Sequence, residues 1–207
     1  MIRARHNSFW VWFFRMYTKS MIRWHFASVT IKGDWTSRDL PVLLMGNHFS
    51  WWDGFLANYL NIKIFKKRFH VMMLEEQLKQ RMFLSGAGAF SIDKGKRSMV
   101  ETFSYAVDIL KNKKNLLVIY PQGKFQSIHD RPILFEKGYL SILKKVAESG
   151  FQLIFYVALT DYFSFRKPML TIHFKEQSFS SIITATELET MYNEFYLDAA
   201  DQQKELV

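Results

Sequence analysis

The sequence predicts an α/β fold: a mainly parallel sheet flanked by helices, preceded by an N-terminal amphipathic, membrane-associating helical segment. Three observations carry this. Residues 41–46, 116–120 and 151–159 are apolar runs of strand length, as expected of strands covered on both faces. Helix-patterned stretches separate such runs. Residues 98–111, for example, place Val100, Phe103, Val107 and Leu110 at helical spacing, and strands alternating with helices argue for parallel pairing. Residues 1–27 differ in character, with Trp and Phe crowded beside Arg.

Composition bounds the function. A chain of 207 residues suits one domain, so 28–207 is read as a single α/β domain behind the 1–27 segment. Hydrophobic residues make up 49%, enough to build a core. No Cys is present, which excludes disulfides, thiolate metal sites and an acyl-cysteine intermediate. The formal charge of +9 suits nucleic acid or an anionic membrane surface. The membrane is preferred, because no nucleic-acid recognition motif occurs and the aromatics gather at the N-terminus. The six His are scattered without the His-Glu-x-x-His spacing, so no metal site is expected.

Taken in order, the run Phe9-Trp10-Val11-Trp12-Phe13-Phe14 ends at Arg15, well short of the ~20 apolar residues of a spanning helix. On a helical wheel Asn7, Ser8, Arg15, Thr18, Lys19 and Arg23 share one side. Phe9, Trp10, Phe13, Phe14, Met16, Tyr17, Met21 and Trp24 share the other. A basic, Trp-rich helix of this kind lies in the headgroup plane; packing on the domain's own core is the alternative. Residues 28–32 alternate and read as a strand, with a turn at Gly33-Asp34. The cations Lys63, Lys66, Lys67 and Arg68 suit anionic headgroups or a phosphorylated cofactor, or form a solvated turn. Residues 70–74 and 89–92 read as strands around a single short helix over 75–83. Asp93-Lys94-Gly95-Lys96-Arg97 follows, a cation cluster able to hold phosphate. Residues 132–149 include a helix through Leu140, Leu143 and Val146, and 169–174 is the last strand. Beyond Ile182 the chain reads as a polar, acidic C-terminal helix and tail.

The centre of the reading is Asn47-His48-Phe49-Ser50-Trp51-Trp52-Asp53, where a buried strand gives way to a helix. In α/β proteins sites form beyond the carboxyl ends of strands. Positions five apart on a helix point about 140° apart, so His48 and Asp53 meet only if His48 is still in the turn. Ser50-Trp51-Trp52-Asp53 has the pattern of a capping box, which puts Asp53 in the first helical turn. A carboxylate on one imidazole nitrogen fixes the tautomer and leaves the other as a general base. A plain capping box beside a surface His is the alternative.

This block, with two more downstream, resembles the signature of the glycerolipid acyltransferases, the lysophosphatidic acid acyltransferase family. His48-x-x-x-x-Asp53 matches its His-x-x-x-x-Asp motif. Phe90-Ser91-Ile92-Asp93-Lys94-Gly95 is similar to its second block, and Tyr120-Pro121-Gln122-Gly123-Lys124 to its third. The resemblance covers roughly residues 28–174. It implies that His48 and Asp53 are catalytic, and that Asp93, Lys94, Tyr120, Pro121, Gln122, Gly123 and Lys124 bind substrate. It also implies transfer of a fatty acyl group from acyl-CoA or acyl-ACP to a lipid hydroxyl, with no other cofactor. The partners are then a membrane lipid and the acyl carrier, with no nucleic acid. The expected location is peripheral or monotopic on the cytoplasmic face of the bacterial inner membrane. The third block departs from the family pattern: Gln122, Lys124 and Phe125 stand where Glu, Thr and a phosphate-binding Arg are usual. No Gly-x-Ser-x-Gly elbow occurs, which favours direct transfer over an acyl-enzyme.

Overall fold

The computed structural model describes residues 1–93, 96–147, 150–178 and 184–203. Helix α1 spans Ser8–His25 and leads into strand β1, Ser28–Lys32. Then come β2 (Val42–Gly46), α2 (Asp53–Leu60) with a π-helical turn at Asn61–Phe65, and β3 (Arg68–Leu74). Two short helices, α3 (Glu75–Gln80) and α4 (Phe83–Gly86), precede β4 (Ala89–Ile92) and α5 (Lys96–Ile109). The chain continues through β5 (Asn115–Ile119), α6 (Leu140–Ala147), β6 (Gln152–Asp161), β7 (Met169–Gln177) and α7 (Ala185–Asp201).

The strands form one seven-stranded sheet in the order β1-β7-β6-β2-β5-β3-β4. All neighbours pair in parallel except β6 and β7. The expected α/β architecture with a mainly parallel sheet is therefore present. β2 and β5 are buried along their whole length, because both sheet faces are covered. Leu43, Met45, Leu117, Ile119 and Phe155 join the core under α5, α6 and α7. Leu44, Val118, Ile154 and Tyr156 join the one under α1 and α2. The carboxyl ends of β2, β5 and β6 share one edge, and the site is there.

Several expectations are corrected in detail. The single helix over 75–83 is two helices, because Arg81 leaves helical geometry at φ −137°, ψ 54°. The expected C-terminal helix is present, but it is a packed structural layer rather than a polar surface element. α7 opens with a capping box of Thr184 and Glu187 and buries Leu188, Tyr192, Tyr196 and Ala199. Tyr192 donates to the Tyr156 carbonyl at 2.9 Å and Tyr196 to the Ile128 carbonyl at 2.8 Å.

Residues 1–7 are tied to the domain through backbone bonds, Ser91 N–H to the Ile2 carbonyl and Asn7 N–H to the Gly86 carbonyl. The His6 ring meets His70 edge-on at 4.4 Å. Burial, with His6 close by, pushes His70 down to about 3, so this contact is between neutral rings. Trp10, Phe14, Thr18 and Ile22 form an i, i+4 stripe on α1. Trp10 packs on Gly86 and Phe83, Phe14 stacks on Phe83, and Thr18 and Ile22 are fully buried. The wheel places Thr18 on the polar side; Asn58 instead donates to its hydroxyl at 3.0 Å, which satisfies the oxygen and allows its burial. The opposite face of α1 carries Phe9, Trp12, Phe13, Met16 and Trp24 into solvent, with Trp12 60% and Trp24 75% exposed.

Candidate active site

His48 lies two residues beyond β2, and its position follows from the residues on either side. Gly46 ends the strand against Tyr156, where any Cβ would run into the tyrosine ring. Asn47 is buried, and its side chain carries on the pairing with β6. Its Nδ2 donates to the Ala158 carbonyl at 3.0 Å and its Oδ1 accepts from Ala158 N–H at 2.9 Å. The backbone is thus fixed up to the residue before the histidine.

Asp53 opens α2 and is 1% exposed. Its Oδ2 accepts from His48 Nδ1 at 2.6 Å, from Phe49 N–H at 2.9 Å and from Ser50 N–H at 3.0 Å. Half of the expected capping box is realised: the acid reaches back to the Ser50 N–H. The Ser50 hydroxyl instead accepts from Trp52 N–H at 3.0 Å, and the helix starts at Asp53. Burial pushes the Asp53 carboxyl above its ordinary range, while the bonds from His48, Ser50 and Phe49 draw it back. Since the carboxylate accepts from Nδ1, the neutral ring carries its proton there and leaves Nε2 able to accept a proton. Nε2 has no hydrogen bond among the described residues, and the His48 side chain is 24% exposed.

The third block arrives from β5, the neighbour of β2. The Tyr120 ring stacks on His48 at 4.5 Å and the Phe125 ring packs on it at 4.3 Å. Tyr156 donates its hydroxyl to Tyr120 at 3.1 Å. Burial, with the Asp53 charge nearby, holds the Tyr120 hydroxyl well above its ordinary value, so it stays protonated. Pro121 and Gln122 are buried. Gln122 Oε1 accepts the His48 backbone N–H at 2.6 Å. Gly123 turns the chain at φ 63°, a conformation that favours glycine. Its N–H donates to the Tyr120 carbonyl at 3.1 Å, which leaves it no role as an oxyanion donor. Lys124 is exposed beside it.

The profile of the acyltransferase family matches residues 28–158, more than half of the chain, and spans all three blocks. The chain belongs to the acyltransferase family. No curated protein matches it closely enough to count as a relative.

Not every expected site residue of this acyltransferase gathers around His48. Asp93 is exposed at the carboxyl end of β4, three strands across from β2, about 14 Å at the usual strand spacing. Lys94 lies outside the described residues. The cations Lys66, Lys67 and Arg68 are at the opposite, amino edge of the sheet. There they line an open cleft with Arg38, Lys113 and Lys114. Lys67 is spent on the carbonyls of Leu40 at 2.9 Å and Lys113 at 2.7 Å. No group of three His, Asp or Glu among the described residues converges to hold a metal ion. Sequence reasoning passed over Asn47, Gln126 and Tyr156. A polar residue directly after a buried strand was the available signal for Asn47; the other two act across long sequence separations.

Proposed function

We propose that this acyltransferase moves a fatty acyl group from an acyl thioester, acyl-CoA or acyl-ACP, to a hydroxyl of a lysophospholipid such as 1-acylglycerol-3-phosphate. The observation that carries this reading is the His48–Asp53 pair at 2.6 Å with Nε2 open. Nε2 takes the acceptor's hydroxyl proton as the oxygen attacks the thioester carbonyl. Asp53 stabilises the imidazolium that forms. The tetrahedral intermediate collapses, the thiolate leaves, and the imidazolium returns the proton to it. The products are an ester and a free thiol. A panel of phosphorylated and non-phosphorylated lipid alcohols, offered with both donors and read by product mass, tests the proposal. It expects a new ester of the acceptor and an equal amount of free thiol. Lipid binding with no thioester consumed across the panel would mark a non-catalytic lipid-binding relative instead.

A second reading, transfer to an acceptor without a phosphate, is favoured by Phe125. Its ring lies against His48 at the position where the family carries a phosphate-binding Arg. Preference for the non-phosphorylated members of the panel is the outcome that selects it.

The enzyme works at a membrane surface, as a peripheral or monotopic protein on the cytoplasmic face of the bacterial inner membrane. No helix among the described residues is long and apolar enough to cross a bilayer. Support comes from the exposed aromatic face of α1. Ring contacts run from Phe9 through Phe13, Tyr17 and Phe55 to Trp51, three residues from His48. That continuity supports an entrance to the site at the lipid surface. Trp12→Glu with Trp24→Glu changes only exposed side chains and leaves the docked stripe intact. The double variant is expected to stay in the supernatant when sedimented with anionic vesicles that pellet the wild type. Equal pelleting of a folded double variant would refute the membrane role of this face.

A further inference from the structure

The peptide of His48 is held on both sides by one short segment. Its N–H donates to Gln122 Oε1 at 2.6 Å, and its carbonyl accepts from the Gln126 backbone N–H at 2.9 Å. The two glutamine side chains are joined, with Gln122 Nε2 donating to Gln126 Oε1 at 2.9 Å. Gln126 Nε2 in turn donates to Asp130 Oδ2 at 3.1 Å and to the Pro132 carbonyl at 3.3 Å.

The direction of this chain of amides is forced. A backbone N–H can only donate, so the group of Gln122 that meets His48 is its oxygen. Its nitrogen then faces Gln126, which must answer with oxygen. The Gln126 nitrogen is thereby turned toward a carboxylate and a carbonyl, both acceptors. Each amide is in the one orientation that satisfies its neighbours.

We infer that Gln122 and Gln126 are a matched pair of positioning residues that hold the His48 backbone while Asp53 holds its ring. The inference rests on the acyl-transfer reading. It explains why glutamine stands at 122, where the family usually has glutamate. A carboxylate there still accepts the His48 N–H, but its second oxygen meets Gln126 Oε1, acceptor against acceptor. Flipping the Gln126 amide does not help, because its oxygen would then face Asp130 and Pro132. Gln122 is 3% exposed, so water does not relieve the clash. The pairing also gives Gln122 a role different from the substrate contact implied by the resemblance: both ends of its side chain are spent on protein groups.

The test compares Gln122→Glu, Gln126→Ala and the double variant Gln122→Glu with Gln126→Lys in steady-state acyl transfer. In the double variant the lysine donates both to the introduced carboxylate and to Asp130 and has no acceptor of its own, so it repairs the mismatch. Gln122→Glu is expected to lower kcat on the order of 10–10²-fold, the usual effect of a small misplacement of a catalytic group. KM for donor and acceptor should stay near the wild-type values. Gln126→Ala, at a half-buried position, should lower kcat in the same direction. The double variant should recover most of what Gln122→Glu loses. Hydrogen exchange at the His48 amide supplies a readout without turnover: it should quicken in Gln122→Ala while the amides of β2 stay protected. Wild-type kcat in Gln122→Glu would overturn the pairing. So would a raised KM with unchanged kcat, or a double variant no better than the single. Absence of acyl transfer by the wild type across all acceptors would instead defeat the acyl-transfer reading, and the pairing with it.

Discussion

His48→Ala is expected to lower the rate of acyl transfer by roughly 10²–10⁴-fold, the usual contribution of a general base. The fold should survive the change. The His48 side chain is partly exposed, and its backbone contacts to Gln122 and Gln126 do not involve the ring. What the ring supplies is a proton acceptor at Nε2. An alcohol is a poor nucleophile until its proton is being removed, and no other base among the described residues stands at Nε2 to replace it. The hydroxyl of Tyr120, whose ring stacks on His48, is kept protonated by burial. The measurement is turnover of a labelled acyl thioester by circular-dichroism-matched wild type and variant. Wild-type turnover by the folded variant would remove His48 from the mechanism.

Asp53→Asn is expected to separate activity from stability. The asparagine oxygen can accept the same three bonds that reach Asp53 Oδ2, from His48, Phe49 and Ser50, so the local structure is kept. The negative charge is lost, and with it the stabilisation of the imidazolium. kcat should fall on the order of 10²-fold or more, since the charged partner matters only once the base has taken its proton. Stability should move the other way at neutral pH. Burial raises the Asp53 carboxyl in the folded state, so the folded protein holds that proton more tightly than the unfolded chain does. The stabilisation this gives is present below the unfolded value and is lost as pH rises through the folded value. Above that folded value the wild type has lost it and carries a buried charge that the asparagine variant lacks. The variant should therefore melt at a higher temperature at pH 7, with the difference shrinking toward acid pH. A variant less stable than wild type at pH 7 would show that the His48 contact outweighs the desolvation of the carboxylate.

The central pair was legible because it depends on short-range geometry. A strand, a turn and the first residue of a helix bring His48 and Asp53 together at close sequence range. The sheet was legible for a similar reason: β2, β5 and β6 are too apolar to be anything but covered strands. The polar latch was not. Gln122 and His48 are 74 positions apart, and nothing in either local pattern says that their strands are neighbours. Thr18 was misassigned because a wheel sorts residues by chemistry alone, whereas a hydroxyl with a buried partner in Asn58 behaves as a core residue. α7 was read as a polar helix from its acids, although Leu188, Tyr192, Tyr196 and Ala199 already had the spacing of a buried stripe. Asp93 was named from motif order alone, and its distance from β2 was not legible, because that depends on a strand order that sets it three strands away.

Asp53 holds the neutral His48 ring with its proton on Nδ1 and its free lone pair on Nε2. The nitrogen-15 spectrum of the imidazole in the full-length protein reads that arrangement without any choice of acceptor or donor. For the neutral ring the account predicts a protonated Nδ1 with a strongly downfield proton that moves upfield in Asp53→Asn, and a bare Nε2. A neutral His48 ring that carries its proton on Nε2 would contradict it.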